Sequence, residues 1–361
     1  LWGQGQSLVF YGITLFAASR FDECIEKCRM AIRILERMGD YWQIHMARYQ
    51  IAGSLYYLGD LRGAVHEAQL NHKSGLETGD EQASGIILDV WSRASSGAVP
   101  RHVIEPEFAR PRTDAQGTCE LLLAEGVCRL ADDNVDGAIE AFDQAVFVAA
   151  DVGVKNAYTL PALAWAATGR RVLAEQLREH TPQRRVTVLQ EGARYARRAI
   201  QARLLCSNDV PQALREYALI LAMQGRLRKA RRMFAWAIRA ATKLKERHEL
   251  AKSLLAAGEI GLETGWPEAG QQTKQGEALL AELLASGDAL DGDSSRDRET
   301  VNLSLVDRFD NVLDSGRKIA SGLAAETIHE SARSAALRLL RGERCFVIPL
   351  DPLDQTGDLT G

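Results

Sequence analysis

The sequence predicts an all-α chain in which helical hairpins stack into a right-handed solenoid, followed by a linker helix and a short, incomplete α+β segment. Apolar residues recur at intervals of three and four, which is typical of amphipathic helices. The same hairpin pattern returns along residues 1–285, and Ala with Leu dominates over Val and Ile. Because a lone hairpin cannot cover both of its apolar faces, the copies are expected to stack on one another.

The clearest hairpin spans residues 214–241 and serves as the reference repeat. Its first helix has a small residue in the middle, and its second helix begins with a large apolar residue after a glycine turn. The apolar stripe of the second helix then continues with small and aromatic residues. In order, these marks are Ala218, Leu227, Ala230 and Phe234.

The same marks recur before and after the reference repeat. In the other copies they are Gly12, Phe21, Ala52, Leu61, Ala64, Gly126, Ala138, Phe142, Trp266 and Ala269. Second helices are predicted to begin at positions 21, 61, 99, 135, 172, 227 and 266, a spacing near 36 to 40 residues with one longer gap.

Two regions fit the pattern less closely. Residues 97–112 contain three prolines, which limit helix length, so a short helix or a loop is expected there. Residues 155–179 are predicted to form a pair of helices hinged at Gly169, followed by a long Arg-rich helix over 183–205. The exact boundaries within 97–112 and 170–206 stay open.

The hairpins resemble tetratricopeptide repeats, whose motif places small residues in both helices and an aromatic residue in the second. Residues 126–145 and the reference repeat carry the best match. Since the copies exceed the usual length of about 34 residues, the chain resembles the longer-repeat sensor arrays of bacterial signal-transduction ATPases and kinases. The resemblance implies a non-catalytic protein-interaction or sensor scaffold.

The sequence changes character after the repeats. Residues 286–302 form an acidic linker poor in apolar residues, and residues 303–322 carry a narrow apolar stripe suited to a signalling helix or a dimerising coiled coil. Residues 323–361 resemble the truncated start of a GAF domain, with a helix, a Gly-Glu-Arg-Cys junction and a strand-like run. The resemblance implies that the array relays binding through 303–322 to a C-terminal sensory or output region.

Charge is distributed unevenly along the chain. Residues 178–252 hold 18 Lys and Arg against 6 Asp and Glu, a balance of +12, so that the rest of the chain carries −16. The candidate partner-binding residues of this basic face are Arg194, Arg197, Arg198, Arg228, Arg231 and Arg232. Three interpretations remain: a solvated face or one that contacts acidic parts of the same chain, a surface for an acidic protein partner, or a nucleic-acid-associated regulator using residues 184–239.

No motif for nucleotide binding, serine hydrolysis or zinc proteolysis is present, so we expect no catalytic residue, no metal site and no cofactor. Cys24 and Cys28 share a helix face and could bind a soft metal, but packing between helices is the favoured interpretation. The six cysteines form no CxxC pair, which suits a cytoplasmic protein, and no apolar run is long enough to cross a membrane. Because the chain begins at Leu1, we expect a fragment of a longer bacterial protein.

Overall fold

The computed structural model of the chain describes residues 1–177, 181–290 and 333. Within these residues the chain consists of helices and short connections and contains no strand, which confirms the all-α prediction for this part. The predicted helix 303–322 and the GAF-like segment lie outside the described residues, except for position 333. The last described helix ends at Leu290, so it includes the first five residues assigned to the acidic linker.

Fifteen α-helices and one 3₁₀ turn make up the described part. The helices are α1 Trp2–Ala17, α2 Phe21–Met38, α3 Tyr41–Leu58, α4 Leu61–Thr78, α5 Glu81–Ile86, α6 Leu88–Ala94, α7 Arg101–Ala109, α8 Ala115–Ala131, α9 Val135–Asp151, α10 Pro161–Gln176, α11 Pro182–Gln201, α12 Val210–Met223, α13 Leu227–Leu244, α14 Arg247–Thr264 and α15 Ala269–Leu290, with the 3₁₀ turn at Ala202–Leu204.

Consecutive helices pack against each other as hairpins, and the first helices of successive hairpins also contact one another. The hairpins are α1 with α2, α3 with α4, α8 with α9, α10 with α11, α12 with α13, and α14 with α15. Further contacts join α1 to α3, α8 to α10, α10 to α12, and α12 to α14. Helices α5, α6 and α7 replace a regular hairpin, and α6 packs on both α4 and α8. This arrangement is consistent with a helical repeat.

Four predicted starts of second helices coincide with the structure, at Phe21, Leu61, Val135 and Leu227. The second helix of the third predicted repeat is α7. It begins at Arg101 and is nine residues long, in agreement with the expected short helix or loop. In the last hairpin the turn continues past position 266, and α15 begins at Ala269.

The predicted hinge at Gly169 is wrong. Helix α10 runs through this residue without a break, and its hairpin partner is α11 rather than a helix starting near position 172. A Cβ atom at Gly169 would lie 3.2 Å from Ile139 and 3.3 Å from Phe142. The glycine therefore permits close helix packing and does not mark a turn.

Short turns separate the first four helices. Helix α3 ends at Leu58 and is followed by Gly59, whose φ of 93° is a left-handed conformation that favours glycine. The next residue, Asp60, accepts a hydrogen bond from the Gly63 amide at 2.9 Å and so caps the N-terminus of α4. A Gly-Asp pair also stands at positions 39–40 and 79–80, which sets a regular interval of 20 residues.

The two ends of the described array meet, which differs from an open solenoid in which each repeat contacts only its neighbours. Helix α14 contacts α3, and hydrogen bonds join the first two hairpins to the segment before α12. The Tyr57 hydroxyl donates to Asp209 at 2.9 Å, and the side-chain amide of Asn208 donates to the Phe16 carbonyl at 3.2 Å. The first-helix face is therefore closed at this point by the chain itself.

Candidate interaction surface

The residues predicted as structural marks of the repeat lie in the packed parts of the hairpins. The following have at most 2% of their surface exposed: Phe21, Ala52, Ala64, Ala138, Phe142, Ala218, Ala230, Phe234 and Ala269. Gly12 and Gly126 are buried, and a Cβ atom there would clash with Cys28 and Phe142 respectively. Leu61, Leu227 and Trp266 are half-buried.

The six arginines of the predicted basic face are all exposed and lie on the second helices of two consecutive hairpins. Helix α11 carries Arg194, Arg197 and Arg198, and helix α13 carries Arg228, Arg231 and Arg232. The structure thus places the two groups on neighbouring hairpins of the described array.

Some of these guanidinium groups stack on aromatic rings. The guanidinium carbons of Arg194 and Arg198 lie 5.8 and 5.5 Å from the ring centroid of Tyr195. Arg232 lies 5.6 Å from the centroid of the half-exposed Trp236. Such cation–π contacts limit the freedom of the side chains while leaving the charge in solvent. The arginines are therefore partly ordered before any partner arrives.

Only one of the six arginines forms an ion pair within the described part of the chain. Arg231 binds Glu268 through two hydrogen bonds of 2.6 and 2.7 Å. The other five have no carboxylate within ion-pair distance among residues 1–177 and 181–290. By contrast, the buried guanidinium of Arg215 binds Glu249 at 2.5 Å. The exposed charges of the basic face are thus mostly left for solvent or a partner.

An apolar cavity of about 220 Å³ opens beside the basic face. Val146, Leu160 and Leu163 form its walls, and two cationic side chains, Lys155 and Arg198, lie at its edge; both are exposed. Leu205, which follows the 3₁₀ turn, also lines the cavity and is 60% exposed. This combination can accept an apolar side chain that is flanked by carboxylates.

The first helices carry a buried ion network that the sequence analysis did not predict. On α12, Arg215 is hydrogen-bonded to both Glu216 and Glu249, and Arg171 of α10 binds Glu216 at 2.6 Å. Burial alone would raise the pKa of Glu216, but the charges of Arg171 and Arg215 lower it to about 2. These carboxylates therefore stay ionised at neutral pH and hold adjacent hairpins together.

A second buried cluster lies where the array closes. Arg93 of α6 binds Asp89 at 2.5 Å, and it donates a hydrogen bond to the Tyr57 hydroxyl at 3.3 Å. Burial raises the pKa of Asp209, the acceptor for Tyr57, to about 6. The space left between Tyr57, Asn208 and α14 is only about 10 Å³, enough for about one water molecule. A peptide cannot lie across the first helices here.

The remaining candidates for chemistry are packed inside the fold. Cys24 and Cys28 are fully buried between α1 and α2. His72 is also buried and contacts the Ser84 carbonyl at 2.8 Å. Among the residues that the structure describes, no three His, Cys, Asp or Glu side chains are arranged to hold a metal ion. In the same residues, no helix is both long and apolar enough to cross a membrane.

Neither protein-family models nor the sequences of curated proteins match this chain. The physical properties of the surface therefore carry the functional argument.

Proposed function

We propose that the chain is a non-catalytic interaction and sensor scaffold, built as a solenoid of tetratricopeptide-like hairpins, whose basic face binds an acidic segment of a protein partner. The observation that carries this proposal is the contrast between two classes of arginine. Arg93, Arg170 and Arg215 are buried and each binds a carboxylate of the same chain. Arg194 and Arg197 are exposed and lie beyond ion-pair distance of every described carboxylate. Exposed arginines without an ion pair contribute little to folding, so their charges are available for recognition.

The cavity beside Arg198 adds an apolar anchor point to this charged surface. Hot spots in protein interfaces are well-packed pockets surrounded by polar contacts. A partner segment with one large apolar side chain among acidic residues would fill the cavity while its carboxylates bind Arg198 and Lys155. Charge attraction would speed the encounter, and the cavity would set the position of the bound segment.

The aromatic ring of α11 is not available for stacking on a nucleic-acid base. Proteins that bind single strands offer aromatic faces on which bases stack. Tyr195 is only 8% exposed and is flanked by the guanidinium groups of Arg194 and Arg198, so its faces are not open to a base. Apolar cavities rimmed by cations favour a side chain with neighbouring carboxylates over a flat base. Nucleic-acid binding is therefore an alternative outcome of the test below.

The experiment measures binding of a fluorescent Glu-rich peptide with one central Leu, by fluorescence anisotropy at low and moderate salt. A peptide with Ser in place of Leu tests the cavity, and an oligothymidylate of equal charge tests nucleic acid. The variant Arg194→Glu/Arg197→Glu/Arg198→Glu reverses the charge of α11.

A control with the same change in net charge reverses three exposed arginines on one face of α2, through Arg29→Glu/Arg33→Glu/Arg37→Glu. We expect the α11 variant to bind the Leu peptide roughly ten-fold or more weakly, while the α2 variant binds like the wild type. Equal losses in both variants would show that only net charge matters and would refute a specific site. Preference for the oligonucleotide over the peptide would support the nucleic-acid alternative instead.

The proposed relay through residues 303–322 needs a separate test in the full-length protein. Gly316→Pro should interrupt a continuous helix, whereas Gly316→Ala should preserve it. We expect the first variant to lose the signalling output and the second to retain it. A full output from Gly316→Pro would refute the relay without affecting the binding proposal.

A further inference from the structure

A second cavity, of about 170 Å³, lies between α3, α5 and α8. It is formed by first helices of the array, whereas the basic face lies on second helices α11 and α13. Trp42, which is 52% exposed, lies at its edge, and Tyr49, Gln50, Glu120 and Tyr158 line it. The cavity is thus separate from the surface proposed to bind a protein.

Two of the residues that line this cavity each carry a buried oxygen atom that lacks a hydrogen-bond donor. Glu120 is fully buried, and one of its oxygens, Oε1, accepts a hydrogen bond from the Tyr49 hydroxyl at 2.7 Å. Its other oxygen, Oε2, has no partner, and neither has Oε1 of Gln50, which is 3% exposed. A buried acceptor without a donor is unfavourable, so a ligand that brings donors recovers this cost.

The charges around Glu120 are also unbalanced. From α6, Asp89 lies 3.3 Å from the Tyr49 hydroxyl and is paired with Arg93 at 2.5 Å. Arg93 is the one cation bound to this pair of carboxylates within the described residues. Burial, together with the nearby charge of Asp89, raises the pKa of Glu120 well above its usual range. Burial and the charge of Asp89 therefore both disfavour the carboxylate form of Glu120, and an added cation would favour it.

The other charged groups near the cavity do not supply this cation. His45 of α3 is already hydrogen-bonded on both ring nitrogens, to Asp80 at 2.8 Å and to Ser74 at 2.9 Å. Asp114 at the start of α8 is another carboxylate and adds to the negative potential at Glu120. Tyr158, from the loop before α10, offers a ring and a hydroxyl group rather than a charge.

The walls of the cavity are largely aromatic and aliphatic. Tyr49 and Tyr158 meet edge to face with ring centroids 5.6 Å apart, and Ile13, Met46 and Ile86 complete the lining. Aromatic faces attract cations as well as apolar groups. The volume is comparable to that of about five or six water molecules, which suits a small organic molecule.

We propose that this cavity binds a small primary amine, with its ammonium group donating to Glu120 and Gln50 and its apolar body packed between Trp42, Met46 and Tyr158. An ammonium group has three donors and one positive charge, which match the two unpartnered acceptors and the missing counter-charge. This small-molecule site goes beyond the proposed protein-binding function and does not depend on it.

Proton release provides a specific signature. When the ammonium group enters, Glu120 gives up its proton to the buffer and becomes the carboxylate partner of the ligand. The affinity should therefore rise as the pH increases toward the pKa of Glu120 in the free protein. A neutral ligand of the same shape would bind without releasing a proton.

The experiment is isothermal titration calorimetry of the whole chain in two buffers that differ in ionisation enthalpy. The probes are phenethylamine, its neutral analogue phenethyl alcohol, and the anionic hydrocinnamate. Glu120→Gln preserves the shape of the side chain but removes its charge, and Glu140→Gln is the control, because Glu140 is exposed on α9. Circular dichroism establishes that each variant is folded.

We expect phenethylamine to bind the wild type and Glu140→Gln with release of about one proton, and Glu120→Gln roughly ten-fold or more weakly without release. Phenethyl alcohol should bind both variants equally. Hydrocinnamate should bind less tightly than phenethylamine or phenethyl alcohol. The proposal is wrong if phenethylamine does not bind the folded wild type, if Glu120→Gln leaves its affinity unchanged, or if the alcohol binds as tightly as the amine.

The two proposals are tested independently. The α11 charge-reversal variant should bind phenethylamine normally, and Glu120→Gln should bind the acidic peptide normally. Loss of peptide binding alone would therefore concern the basic face, and loss of amine binding alone would concern the cavity.

Discussion

Replacement of Asp209 by Asn should make the free energy of unfolding less dependent on pH, so that the variant gains stability relative to the wild type as the pH rises. Asp209 is buried where the array closes, and burial raises its pKa from an ordinary value of 3.8 to about 6. Between pH 3.8 and about 6, the folded protein therefore keeps a proton on the Asp209 carboxyl that the unfolded chain has already lost. Wild-type stability from this group is fully present below pH 3.8 and is lost as the pH rises to about 6.

The size of the effect follows from this difference in pKa. About two pH units correspond to roughly 3 kcal/mol, because each unit is worth about 1.4 kcal/mol. The asparagine of Asp209→Asn still accepts the hydrogen bond from Tyr57 but does not titrate. The free energy of unfolding of the variant minus that of the wild type should therefore increase by roughly 3 kcal/mol between pH 4 and pH 7.

Urea unfolding followed by far-UV circular dichroism at several pH values measures this difference. Tyr57→Phe provides a second comparison, since it removes the hydrogen bond that opposes the raised pKa of Asp209. This variant should lose more stability than the wild type over the same pH range. A difference between Asp209→Asn and the wild type that stays constant with pH, or that falls, would refute the assignment.

Three further substitutions test the packing of the hairpins through thermal or urea unfolding. Gly126→Ala should cost about 1–3 kcal/mol because its new methyl group clashes with Phe142, and a second change, Phe142→Leu, should recover part of the loss. Asp60→Ala should cost about 1 kcal/mol by removing the cap of α4, whereas Asp60→Asn should cost little; equal losses would exclude the capping role. Arg215→Met should cost about 3–5 kcal/mol because the buried carboxylates of Glu216 and Glu249 each lose one of their cationic partners, and a neutral result would contradict the buried ion network.

Local patterns predicted much of the hairpin arrangement. A large apolar residue after a turn identified the starts of α2, α4, α9 and α13 to the residue, since the hydrophobic period and the turn signal agree there. The Gly-Asp pair at positions 39–40, 59–60 and 79–80 is a further local signal, because glycine ends one helix and aspartate caps the next. All three pairs are visible in the sequence.

The error at Gly169 has a physical explanation. A glycine in a helical pattern can mark either a turn or a close helix contact, and the sequence does not distinguish them. Here the deciding neighbours are Ile139 and Phe142, which lie on another helix about thirty residues earlier. The period of the pattern continued through the glycine, and that continuity was the better guide.

The closure of the array and both buried clusters had no local signal. Tyr57 and Asp209 are 152 positions apart, and neither belongs to a recognisable motif. A charged residue on an amphipathic helix normally indicates a solvated face, so Arg93 and Glu216 would be assigned to the surface from sequence alone. Their burial depends on how helices from different hairpins pack against one another, which is a property of the whole array.

The basic face could be located from sequence because charge composition is a local property. All six predicted arginines proved exposed, but the cavity beside Arg198 combines residues from α9, the loop before α10 and the segment after α11. Sequence alone could not bring these elements together. That the arginines and the cavity form one surface therefore becomes visible only in the folded structure.

We infer that the exposed arginines of α11 serve binding, whereas the buried arginines serve folding. The most direct measurement is urea unfolding and acidic-peptide titration of the same sample of Arg194→Glu/Arg197→Glu/Arg198→Glu. We expect a free energy of unfolding within about 0.5 kcal/mol of the wild type, together with a roughly ten-fold or greater loss of peptide affinity. Wild-type affinity in a stable variant, or a large loss of stability, would contradict it.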